Sequence, residues 1–139
     1  MKKAVKTRDR IKQTGEVFTP LPLVDEILDK LPPTVFTDPT KTFLDPACGD
    51  GNFLVEVLKY KLNHNHTPIQ ALETIYGVDI MPDNIKQCKA RLLKDVINYC
   101  RKNNMMDYFN KYDEVFLDIL DNNIVWHDAL TYHFNFDGT

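Results

Sequence analysis

Cysteine, glycine and long apolar runs are all scarce in this chain, and each scarcity removes a class of protein. Its three cysteines (Cys48, Cys88, Cys100) are odd in number and irregular in spacing, so neither a disulfide scaffold nor a zinc module is written here. They suit a reducing compartment and read as core or loop thiols. No apolar run approaches the length that spans a bilayer, and Met1-Lys2-Lys3-Ala4-Val5-Lys6 leads into further charge rather than into a secretory apolar segment. A soluble, cytoplasmic protein that leaves membranes alone is the expectation. No internal repeat or low-complexity segment interrupts the chain, and 139 residues with 43% apolar content hold enough material for one core.

Charge is present but unevenly spread. The net charge is −3, yet in residues 1–12 Lys2, Lys3, Lys6, Arg8, Arg10 and Lys12 stand against Asp9 alone, which leaves the remainder strongly acidic. Residues 1–13 thus read as a basic N-terminal arm and residues 14–139 as the folded domain. Such an arm can reach phosphates, and it equally suits a solvated tail that aids solubility. The acidic body argues against a broad nucleic-acid-binding face within it.

Periodicity supplies the element order. Thr19 is placed to cap a helix that Pro20 opens, with Val24, Ile27, Leu28 and Leu31 on one apolar face and Pro32-Pro33 as its stop. Asp38-Pro39-Thr40-Lys41 is a surface turn before a first strand at Phe43. A helix then runs from Gly51 to about Leu62, with Leu54, Val57, Leu58 and Leu62 inward, and Thr67-Pro68 starts a short helix through Glu73. Ile75 to Ile80 is a near-continuous apolar run, as expected of a strand covered on both faces in a parallel sheet. Pro82 begins a long helix carrying Ile85, Leu92, Leu93, Val96, Ile97 and Cys100 on its apolar face. Another helix lies between about Met106 and Leu120, and Asn123 to Leu130 reads as a third strand. The sum is β-α-β-α-β with an N-terminal helix, an α/β architecture.

The stretch Phe43-Leu44-Asp45-Pro46-Ala47-Cys48-Gly49-Asp50-Gly51-Asn52-Phe53-Leu54 carries the chemistry. A strand ends in a carboxylate, and a turn with two glycines passes into a helix. Gly49 and Gly51 mark places where backbone turns sharply or lies close to a ligand. Asp45 and Asp50 make the turn a poor home for pyrophosphate and a better one for a cation. Asp45, Asp79 and Asp128 each close a strand on one edge of the sheet, where open α/β folds bind ligands. An acid after the second strand suits a ribose diol, and one after the third can accept from an adenine amino group. The dinucleotide fingerprint wants a third glycine, where Phe53 stands, and an acid about 20 residues onward, whereas Asp79 lies much farther along. NAD is disfavoured.

At these residues the chain resembles a family. Asp45 to Leu54 looks like the first motif of S-adenosylmethionine-dependent DNA adenine-N6 methyltransferases of the restriction-modification type. Gly15-Glu16-Val17-Phe18-Thr19-Pro20 resembles the motif that precedes it where the methionine-contacting segment is N-terminal, and Gly77-Val78-Asp79-Ile80 and Trp126-His127-Asp128-Ala129-Leu130 are similar to the second and third motifs. The likeness runs from about residue 14 to residue 130. It implies a Rossmann-like methyltransferase fold with a partial parallel sheet in the order 3-2-1, flanking helices and an N-terminal helix, and it implies S-adenosylmethionine as cofactor. By that resemblance Phe18, Thr19 and Pro20 flank the methionine moiety, and Asp45, Ala47, Gly49 and Gly51 form the turn that holds its amino and carboxyl groups. Asp79 takes the ribose hydroxyls, Ile80 lies against the adenine, and Asp128 accepts from the adenine amino group with Ala129 and Leu130 beside it.

The departure from the family is as informative as the likeness. Such enzymes carry Asn/Asp-Pro-Pro-Tyr/Phe after a fourth strand, to bind and orient the flipped base. The only Pro-Pro here is Pro32-Pro33, upstream of the turn and without the polar or aromatic partner. The chain is therefore expected to be the cofactor half, transferring negligible methyl by itself and engaging DNA only when the missing half is supplied. With the fourth strand absent, the Phe43-Leu44 strand should be an open edge that recruits a second copy or a second polypeptide. A non-catalytic S-adenosylmethionine-binding protein and an assembly remnant of such an enzyme are the other readings.

Three further features have bland accounts beside the sharper ones. Asn63-His64-Asn65-His66 invites a metal or nuclease reading, but no acid or cysteine stands at ligand spacing, so a solvated loop fits better. His127-Asp128 invites a catalytic pair, against which stands a simple strand end at a ligand rim. Tyr108, Phe109, Tyr112 and Phe116 invite a base-stacking platform, but their helical spacing suits core packing, and Trp126 is likewise expected to be packed.

Overall fold

The structure is a computed structural model, and residues 20–131 are described in it. Helix α1 (Leu21–Asp29) starts at Pro20, whose carbonyl accepts from Leu23 and Val24 N–H at 3.0 and 3.1 Å. Val24 and Leu28 are buried, while Ile27, expected on the same face, is 41% exposed. Thr19, the expected cap, lies outside the described residues, as do Phe18 and the basic arm. Directly after Pro32-Pro33 a single turn of helix, α2 (Thr34–Thr37), buries Phe36, and the Asp38 carboxylate then accepts from Thr40 N–H at 2.9 Å and from its hydroxyl at 2.7 Å.

Strand β1 (Phe43–Asp45) leads through the glycine turn into α3 (Asn52–Asn63), whose Leu54, Val57, Leu58 and Leu62 are buried as their spacing predicts. The short α4 (Pro68–Glu73) has a complete capping box: Thr67 accepts from Gln70 N–H at 3.1 Å, and Gln70 accepts from Thr67 N–H at 3.0 Å. Strand β2 (Ile75–Asp79) is the covered central strand, and α5 (Pro82–Lys102) follows from Pro82. Helix α6 (Met106–Asn123) is kinked at Tyr112, and β3 is only Ile124–Trp126. The third strand therefore stops short of Asp128, which sits in the turn that follows.

The three strands form one parallel sheet in the order β1-β2-β3, with Phe43 opposite Ile75 and Gly77 opposite Ile124. This is the open, doubly flanked α/β arrangement expected, with β1 paired on one side only among the described residues. Leu44 on that edge strand is 45% exposed. The core gathers where α3 and α5 lie against the strands, with Leu54, Leu58, Ile75, Leu92 and Val96 buried. Tyr108, Phe109 and Phe116 pack on it, Phe109 stacking on Phe116 at 5.4 Å and the Tyr108 hydroxyl accepting from Ile69 N–H at 3.3 Å. That hydroxyl bond ties α4 to α6 and assigns these rings to packing rather than to a base-stacking face.

Two glycines are required by space or angle. Gly51 holds φ 99° at the N-cap of α3, and a Cβ there would meet Cys88 Sγ at 2.9 Å. Gly77 lies under the turn, where a Cβ would meet Leu54 Cδ1 at 2.8 Å and Cys48 Sγ at 3.0 Å. Together they let the turn settle directly onto β2 and α5.

Candidate functional site

The turn between β1 and α3 is braced from within. Ala47 N–H donates to Asp45 Oδ1 at 3.1 Å, Cys48 N–H to Val78 O at 2.9 Å, Gly49 N–H to Asp79 Oδ1 at 3.1 Å, and Gly51 N–H to Cys48 O at 3.0 Å. A phosphate cradle needs such N–H groups pointing at its ligand. Here those of Ala47, Cys48, Gly49 and Gly51 are spent on the protein.

Asp79 is nearly buried, and its carboxylate joins three parts of the chain: Gly49 N–H on one oxygen, and Met81 N–H at 3.0 Å and Asn84 Nδ2 at 2.9 Å on the other. A carboxylate offers about four acceptor positions, so three are filled by the turn and by the start of α5. Asp45, one strand away, has its pKa raised above the ordinary carboxylate value, first by burial and then by the neighbouring Asp79, against the bond from Ala47. Two acids thus crowd one corner of the sheet edge. A cation placed there relieves both the burial and the mutual repulsion.

Asp50 belongs elsewhere. Its place in the sequence suggests a second acid beside Asp45 for a bound cation, but its side chain is fully buried. Arg91 of α5 meets it at 3.3 Å and also donates to Asp50 O at 3.0 Å and to Asn52 Oδ1 at 2.9 Å. Arg91 fixes both ends of the Asp50-Gly51-Asn52 segment and was not singled out from the sequence. A lone arginine in the middle of a long amphipathic helix gives no linear signal of the turn it reaches.

On the far side of β2, Asp128 lies beyond the end of β3 and accepts from Leu130 N–H at 2.9 Å, with Ala129 half-buried and Leu130 94% exposed. Ile80 is 51% exposed. Trp126, expected in the core, is instead 62% exposed, its indole N–H donating to Ile80 O at 2.7 Å. The structure therefore gathers Asp45, Ala47, Gly49, Gly51, Asp79 and Ile80 at the carboxyl ends of adjacent strands, with Asp128, Ala129 and Leu130 following β3. Pro20 opens α1. His66, from the polar loop, is buried and held by the Phe36 carbonyl, and no cluster of metal-ligating side chains occurs among the described residues.

A three-stranded parallel α/β sheet with flanking helices and a glycine turn after its first strand is compatible with a partial Rossmann-like fold. The family model described as N-6 DNA Methylase matches residues 5–126, nearly the whole chain, and the protein belongs to that family. No curated protein and no solved structure matches it. Members of the family act on DNA and take their methyl group from S-adenosylmethionine. No described helix is long and apolar enough to cross a membrane.

Proposed function

We propose that this chain is the S-adenosylmethionine-binding portion of a DNA adenine-N6 methyltransferase of the restriction-modification type. The observation that carries the reading is the corner formed by Asp45, Asp79 and the glycine turn, where two acids lie at partial or full burial beside a turn four of whose N–H groups are already used. Such a corner favours a ligand with an ammonium and a sulfonium over one with phosphates. Asp45, Ala47, Gly49 and Gly51 would hold the methionine end, with Phe18, Thr19 and Pro20 beside it. Asp79 would offer its remaining acceptor position to the ribose, and Ile80, Asp128, Ala129 and Leu130 would surround the adenine.

Methyl transfer needs a base-binding acceptor site, and these 139 residues carry no Asn/Asp-Pro-Pro-Tyr/Phe segment. The chain alone is expected to bind cofactor and to transfer negligible methyl to adenine-containing DNA, acting in the cytoplasm with the acceptor half supplied by other residues or by another polypeptide. In that setting the basic arm, residues 1–13, would approach the DNA backbone while residues 14–139 form the cofactor domain. A second reading, a non-catalytic binding or assembly protein derived from such an enzyme, is favoured by the open β1 edge with its exposed Leu44.

Calorimetry with S-adenosylmethionine tests the proposal. Binding by the intact chain that is weakened about tenfold or more in Asp45→Asn, with the melting temperature preserved, is the expected result. No binding by the intact chain would leave only the assembly reading. Methyl transfer by the isolated chain would overturn the split between cofactor and acceptor halves.

A further inference from the structure

Trp126 is the only tryptophan of the chain, and its setting is not that of an incidental surface residue. It closes β3 opposite Asp79, and the next residue continues the ladder, His127 N–H donating to Asp79 O at 3.0 Å. Its indole N–H is committed to the Ile80 carbonyl at the end of β2. The ring is therefore tethered across two strand ends at the carboxyl edge of the sheet while most of its surface stays in solvent. A large ring held still and left bare has already lost much of the rotamer freedom that stacking would otherwise cost. Ile80 and Leu130 are also exposed on the neighbouring segments, and Asp79 and Asp128 flank them. Apolar surface bordered by carboxylates suits a flat heterocycle that bears hydroxyl and amino donors.

We infer that Trp126 forms an aromatic wall of the nucleoside subsite, against which the adenine of S-adenosylmethionine stacks beside Ile80. This rests on the cofactor reading above, but assigns the residue that fixes the plane of the ring. The hydrogen bond to Ile80 O sets the orientation of the indole, so the wall is present before the ligand arrives.

Because Trp126 is the sole tryptophan, the intrinsic indole emission of the protein belongs to it alone. S-adenosylmethionine and adenosine are each expected to quench or shift that emission with the saturation curve seen in calorimetry, and methionine is expected to leave it unchanged. Trp126→Ala should weaken S-adenosylmethionine by about 10- to 100-fold, and Trp126→Phe, which keeps an aromatic face, should recover most of that loss. Calorimetric binding by the intact chain with unchanged emission, or equal affinity in W126A, would overturn the wall while leaving the cofactor site standing. Absence of calorimetric binding by the intact chain would overturn both. Should W126A fail to fold, the emission titration of the unaltered chain decides alone.

Discussion

Asp45 holds its proton to higher pH than a free carboxylate, because burial and Asp79 both oppose its charge. The sign of the linkage follows. In the window between the ordinary carboxylate value and the raised one the folded state binds more protons, so this group's contribution to stability grows as pH falls through its folded pKa. A cationic ligand needs the ionised form. Affinity for S-adenosylmethionine is therefore expected to fall on acidification, beginning at a higher pH than an unperturbed aspartate would give, and Asp45→Asn should flatten that dependence while weakening binding about tenfold or more. Calorimetry across a pH series checks it. Lys61 shows the opposite case. Its stem is buried on α3, its ammonium donates to Lys41 O at 2.8 Å and lies 5.1 Å from the centre of the Phe43 ring, and burial lowers its pKa to about 8 against a small opposing effect of Asp38. Between pH 8 and the unfolded value near 10.5 the unfolded chain binds more protons, so stability rises with pH through that window and the cost of the buried charge is complete below it. Lys61→Met is expected to stabilise the fold at pH 7 by about 1–3 kcal/mol, with the gain vanishing above pH 10.5. Paired melts of the two proteins at both pH values cancel the titration of every other group.

Among the elements, the glycine turn and α5 form one unit. Replacing Arg91 by Met removes the cation that faces the buried Asp50 and the donor that holds Asp50 O and Asn52 Oδ1, at an expected cost of about 3–5 kcal/mol in denaturant unfolding. Arg91→Lys should recover part of the loss, and adding Asp50→Asn to Arg91→Met should recover part as well, because the stranded charge is then gone. Elements whose signals are local were legible: Thr67, Pro68 and Gln70 spell the start of α4, and the spacing of Leu54, Val57, Leu58 and Leu62 spells the inner face of α3. The lateral order of the strands was also legible, through the resemblance of the motifs around Asp45, Asp79 and Asp128. What escaped depends on partners distant in the chain. The side-chain direction of Asp50 is set by Arg91, the short α2 is drawn in by burial of Phe36, and β3 ends early because beyond Trp126 the chain turns at Asp128. Trp126 misled for the same reason, since composition says that tryptophan is apolar but not that its N–H has a carbonyl waiting at Ile80.

For the whole molecule, the sheet ends in an edge strand on each side among the described residues, the three-residue β3 on one and β1 on the other. Strand β1 offers its outer backbone groups and the half-exposed Leu44, a template for another strand. Sedimentation is expected to show association at tens of micromolar, and Leu44→Lys on the edge strand should shift it toward monomer with little change in melting temperature. A single sharp monomer for the unaltered chain would refute the open edge as an assembly surface.

The three thiols lie inside this same body. Cys48, Cys88 and Cys100 are buried, the Cys48 pKa is driven up by its hydrogen bond to Cys88 and by burial, and that of Cys100 by burial alone. All three are buried and thiolate is the reactive species, so the intact fold is expected to resist alkylating reagents, each modification then recording a moment when the chain has opened. Cys48 and Cys88 sit against the glycine turn and Cys100 near the end of α5. Their relative labelling rates would thus time the breathing of the ligand corner separately from that of the body that carries it.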